Sequence, residues 1–147
     1  SALTGAERRL LLVSLAVIPW VSAGLAAFGF GRMRAAMARW PHEGRGRFAT
    51  AQAESARAAS VARVVAIASG RGPIRTTCLR RSLLLWWLLR RDGIETVIRV
   101  GVNRDDGTLR AHAWVEHRGQ PLNDAADIAL RFPAFAQDFG TQPAGAS

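Results

Sequence analysis

Residues 76–94, T-T-C-L-R-R-S-L-L-L-W-W-L-L-R-R-D-G-I, decide the fold of this chain. Thr76 or Thr77 offers a side-chain oxygen to the first free N–H groups of a helix that begins near Cys78. The run from Leu83 to Leu89 is apolar on every side, so this helix sits at the centre of a domain. Arg90 and Arg91 complement the negative end of its dipole, and Gly93 ends it. Beyond Gly93 the period changes from helix to strand. Thr96-Val97-Ile98-Arg99-Val100-Gly101-Val102 reads as a strand, Asp105-Asp106-Gly107 as a turn, and residues 109–117 as the returning strand. His117-Arg118-Gly119-Gln120 is a second turn leading to a short strand at residues 121–124, with a short helix expected over residues 125–130.

Upstream, residues 49–69 are rich in alanine and lack Gly and Pro, with Val61, Val64, Val65 and Ala68 on one helical stripe. This predicts an amphipathic helix closed by Gly70. Residues 71–77 form a loop around Pro73, and residues 41–47, P-H-E-G-R-G-R, form another. Before it, residues 10–30 carry no charge and are long enough to span a bilayer. Pro19 interrupts the stretch, Ser14, Ser22, Gly24, Gly29 and Gly31 dilute it, and arginines flank it on both sides without an orientation signal. Two helical pieces broken near Pro19 and packed on the rest of the domain are therefore expected, the first capped by Thr4 with Glu7 three residues on.

The whole describes one α+β domain over residues 1–147. N-terminal apolar helices and a loop occupy 1–47, the core occupies 48–140, and a loose tail occupies 141–147. Hydrophobic residues make up 49% of the chain and charged residues 21%, the balance of a chain that buries a core. The net charge is +9 and every basic residue is arginine, which favours anionic partners. No zinc-finger spacing or aromatic-rich strand motif is present and the arginines are scattered, so nucleic acid is not the expected partner. An acidic peptide or the acidic face of a protein fits the same charge. The single cysteine rules out an intrachain disulfide and points to a reducing compartment, the cytoplasm.

A thiol in the first turn of a helix lies beside unpaired N–H groups and the positive end of the helix dipole, both of which favour the thiolate. Cys78 has that position, with Arg75, Arg80 and Arg81 nearby. In Ala111-His112-Ala113-Trp114-Val115-Glu116, alternation puts His112, Trp114 and Glu116 on one face and Ala113, Val115 and His117 on the other. His117, beside the Arg118-Gly119 turn, reads as solvated. Small alanines flank His112 and leave space for a helix end, and the following turn brings Asn123 and Asp124 back toward it. Asp124, Asn123, Asp127 or Glu116 could orient the imidazole.

The segments 76–94, I-R-V-G-V (98–102), A-H-A-W-V-E (111–116), Gly119 and L-N-D (122–124) together resemble the transglutaminase-like leader peptidases of lasso-peptide biosynthesis, over roughly the C-terminal half. The resemblance implies a transglutaminase-like, papain-like fold in which a Cys-bearing helix packs on a small antiparallel sheet, and a triad of Cys78, His112 and Asp124. It implies a cysteine protease that removes the leader of a ribosomally made precursor peptide through a thioester, with neither metal nor cofactor. Its implied partners are the precursor, a separate leader-recognition protein of the split systems, and an ATP-dependent cyclase. A small pocket near Cys78 for a threonine of the leader is also implied, as is a bacterial cytoplasmic location without a membrane span. The same triad serves acyl transferases, and a non-catalytic adaptor anchored to a membrane by residues 10–30 is the reading from another class.

Overall fold

The structure, a computed structural model, describes residues 2–39, 48–71, 77–124 and 127–132. In chain order its elements are α1 (Gly5–Ala38), α2 (Ala51–Arg71), α3 (Cys78–Arg91), β1 (Val97–Asp105), β2 (Thr108–His117), β3 (Gln120–Pro121) and α4 (Ile128–Arg131). The expected loops at 41–47 and 72–76, with Arg75 and Thr76, and the tail from 141 lie outside the described residues.

Helix α3 forms as its sequence dictates. Thr77 is the N-cap, its hydroxyl accepting the N–H of Arg80 at 3.4 Å. At the other end Gly93 takes a φ of +76°, a conformation that costs a glycine little. The Ile94 N–H then reaches Leu89 O at 2.9 Å and the Gly93 N–H reaches Arg90 O at 3.1 Å, which closes the last turn. Leu83, Leu84, Leu85, Trp86, Leu88 and Leu89 are all buried. They share one apolar cluster with Ile18 and Val21 of α1, Val61 and Val65 of α2, and Ile98 and Val115 of the sheet.

The sheet is an antiparallel meander in the order β1-β2-β3. Both connections are two-residue turns with positive φ at each central residue: Asp106 and Gly107 join Asp105 to Thr108, and Arg118 and Gly119 join His117 to Gln120. Such turns match the twist of the strands they join. The register pairs Gly101 with His112 and Val100 with Ala113. The third strand is shorter than the expected 121–124. It ends at Pro121, because the side-chain oxygen of Asn123 takes the Val115 N–H at 2.8 Å where a longer strand would use main chain.

Two expectations for the helices need correction. Helix α1 runs through Pro19, and its break lies at Gly29, with φ 78° and ψ 169°. Met33 then folds back so far that its thioether occupies the place where a Cβ on Gly24 would be. In a straight helix these residues would lie about 13 Å apart along the axis. Pro19 itself sits on the exposed side of the helix. Helix α2 includes Gly70 and ends one residue later, at Arg71. The N-terminal capping box is present as expected: Glu7 accepts the Thr4 N–H at 2.9 Å and donates its own N–H to the Thr4 hydroxyl at 3.3 Å. Glu7 also accepts from the Ser60 hydroxyl and from Arg63, which ties the start of α1 to α2.

Candidate active site

Cys78 is the first residue of α3 and is half-buried, one turn ahead of the fully buried Ser82. The thiol thus stands at a helix N-terminus. The Thr77 hydroxyl is spent on Arg80 N–H, and Cys78 and Leu79 carry the neighbouring N–H groups of the first turn.

His112 lies on β2 opposite Gly101, and its Nε2 is hydrogen-bonded to Oδ2 of Asp124. Of the four groups that could orient the imidazole, Asp124 is the one that holds it. Glu116 instead accepts from Trp114 Nε1 at 3.0 Å and from Arg99 Nε at 3.1 Å. Asp127 stands exposed at the start of α4 and makes no side-chain cap bond there. A carboxylate on Nε2 fixes the tautomer: Nε2 carries the hydrogen and Nδ1 keeps its lone pair, so Nδ1 is the nitrogen able to accept a proton.

Asn123 joins the two halves. Its oxygen accepts from Val115 N–H, and its Nδ2 donates to Ser82 Oγ at 3.2 Å. Strand β2, which carries His112, is thereby tied to α3 at the residue one turn from Cys78, immediately before Asp124. Among the described residues no hydrogen bond joins Cys78 to His112; catalytic hydrogen bonds of this kind often tighten only once substrate is bound.

Two aromatic rings pack near the imidazole. Trp114, two residues along the strand, stacks with it at 6.2 Å between ring centres, and Phe132, just past α4, packs on it at 5.1 Å. Phe132 can approach because position 101 is glycine: a Cβ there would overlap the Phe132 carbonyl. Phe132 and Ser82 escaped sequence reasoning. The signal for Phe132 was Gly101 itself, since an isolated glycine inside a strand marks a close approach of backbone.

His117 is not solvated as expected. It is 5% exposed, with Nε2 2.8 Å from Oε1 of Glu54 in the first turn of α2. That hydrogen bond, joined by the charge of Arg118, holds the Glu54 carboxyl below its ordinary range. Among the described residues no group of three His, Cys, Asp or Glu side chains gathers as metal ligands would.

Comparison with known proteins gives one match. The family profile described as the transglutaminase-like superfamily matches residues 21–135, which include Cys78, His112 and Asp124. No curated protein and no solved structure matches the chain.

Proposed function

This chain belongs to the transglutaminase-like superfamily, a fold that commonly serves cysteine proteases and acyl transferases, and from that premise we propose that it is a cysteine peptidase that removes the leader from a ribosomally made lasso-peptide precursor. The observation that carries the catalytic part is the Asp124-held His112 on a strand tied through Asn123 to the helix of Cys78. The lasso-peptide part rests on the resemblance of residues 76–94, 98–102, 111–116 and 122–124.

In the proposed reaction Nδ1 of His112 takes the thiol proton and the thiolate of Cys78 attacks the carbonyl that ends the leader. The imidazolium, held by Asp124, gives its proton to the departing amine, leaving a thioester between the leader and Cys78. Water activated by the same nitrogen then releases the leader acid. The N–H groups of Cys78 and Leu79 are the oxyanion donors, at the positive end of α3. The core peptide leaves with a free amino terminus, which an ATP-dependent cyclase would consume. The setting is the bacterial cytoplasm, where a lone thiol stays reduced.

A separate recognition protein that holds the leader would raise its local concentration at Cys78, on the order of millimolar for a short flexible tether. The arginine-rich surface suits an acidic face on that protein. The test is cleavage of a full precursor with and without the recognition protein, at low and high salt, beside Cys78→Ala. Expected are strong dependence on the recognition protein, weaker cleavage at high salt, and none with Cys78→Ala. Cleavage by Cys78→Ala would overturn the thiol mechanism, and capture of the leader by an added amine in place of water would make the protein an acyl transferase.

A further inference from the structure

Helix α1 is the helix among the described residues that is long and apolar enough to cross a bilayer, yet one side of it is committed elsewhere. Ile18 and Val21 before Gly29 and Met37 after it are buried in the cluster shared with α2 and α3. A spanning helix would have to withdraw those side chains from the core.

The opposite side has no such cover. Leu12, Ala16, Pro19, Trp20, Ala23 and Ala27 are all exposed, and at 100° per residue they fall on one stripe facing away from Ser14, Ile18 and Val21. The stripe is about 22 Å long at 1.5 Å per residue. Leu12 is 67% exposed and Trp20 77%. These are large apolar surfaces to leave in water, and a contiguous apolar face marks a contact site.

The charges around the stripe say what it contacts. Arg8 and Arg9 are exposed at its N-terminal end, and Arg32 is exposed just beyond Gly29. Glu7 is the sole acid in Gly5–Ala38, and it is turned inward to Thr4, Ser60 and Arg63. An apolar stripe with cations at its ends and no exposed acid complements a surface that is hydrocarbon within and anionic at its rim. Trp20, mid-stripe, has the amphipathic ring that favours such a boundary.

We infer that the exposed stripe of α1 lies on an anionic membrane surface, docking the domain without spanning the bilayer. Interfacial helices bind in this way, burying one face at the boundary between headgroups and acyl chains while arginines reach the phosphates. The inference stands on α1 alone and does not depend on the chemistry proposed for Cys78.

The test is flotation of the full chain with vesicles of phosphatidylcholine alone or with phosphatidylglycerol, at low and high salt, with sedimentation velocity of the free protein alongside. The variants are Leu12→Gln with Trp20→Gln, and Arg8→Gln with Arg9→Gln. All four residues are exposed, so circular dichroism and thermal unfolding should match the parent. Expected is binding to the phosphatidylglycerol vesicles that weakens with salt, falling roughly tenfold or more in each double variant. Failure of the parent to bind these vesicles would overturn the inference. If self-association that Leu12→Gln with Trp20→Gln abolishes accompanies that failure, the stripe's occupant is a second copy of this chain. Vesicle binding unchanged in both variants would also overturn it, placing the contact away from α1.

Discussion

Replacing Asp124 with Asn tests the base without requiring the substrate. The change keeps size and shape but removes the charge that faces Nε2 of His112. It also supplies an NH2 group that can donate to Nε2, which would move the hydrogen to Nδ1 and leave no lone pair for the thiol proton. The two side chains are 22% and 18% exposed, enough burial for the pair to act above the level of a surface ion pair. A hydrogen bond to a charged group is worth about 1.5–3 kcal/mol. At 1.36 kcal/mol per factor of ten, the imidazolium formed when Nδ1 takes the thiol proton should be about 10- to 100-fold less populated. Alkylation by iodoacetamide reads this directly, because Cys78 is the only thiol and the intact mass counts one adduct. Near neutral pH Asp124→Asn should slow labelling by about that factor, and the difference should shrink in alkali, where thiols ionise without a base. Equal labelling rates at neutral pH, or a comparable loss with Asp127→Asn and none with Asp124→Asn, would refute the assignment.

Three further outcomes follow from geometry. Thr4 N–H first, then Ser60, the Thr4 hydroxyl and Arg63, hold the Glu7 carboxyl at about 2, against an ordinary value of 4.5. Its contribution to stability is therefore full above the ordinary value and lost as pH falls from there toward 2; thermal unfolding followed across that acid range should show the loss, and Glu7→Gln should flatten it. Asn123→Ala leaves the Val115 N–H without its acceptor and should cost about 1–3 kcal/mol by denaturant titration, whereas Ser82→Ala removes only the tie to α3 and should cost less while still slowing Cys78 labelling. Gly101→Ala drives a Cβ into the Phe132 carbonyl and should displace that segment from His112; quantitative hydrogen exchange over residues 127–132 should rise, and unchanged exchange would count against the packing described.

Features written in neighbouring residues were legible in the sequence. The α3 cap and stop depend on Thr77 and Gly93, and each hairpin turn depends on two adjacent residues. Features decided by a partner far along the chain were not. His117 beside a turn looks solvated until Glu54, 63 residues earlier, is found against it. Pro19 is the stronger helix breaker on paper, but the break fell at Gly29, where a glycine can take the φ and ψ required and Met33 gains Gly24 to pack on. For the candidate site, the polar pair Asn123 and Asp124 that follows the third strand was visible, while the division of labour between them was not. One residue holds the imidazole and the other holds the strand to the helix, a choice made by Ser82 and Val115.

The two tight turns of the meander bear on how the site is assembled. His112 and Asp124 are separated by 12 positions along the chain, inside a unit of low contact order built from one hairpin followed by another. Hairpins form in about 1–10 μs, and contacts so local require little loop closure. The helix of Cys78 belongs to the slower part, since its burial needs α1 and α2 from upstream as well as the sheet. The acid and base thus form a cassette that can be complete before the nucleophile arrives, and the thiol meets a base only once the three helices have closed over the core.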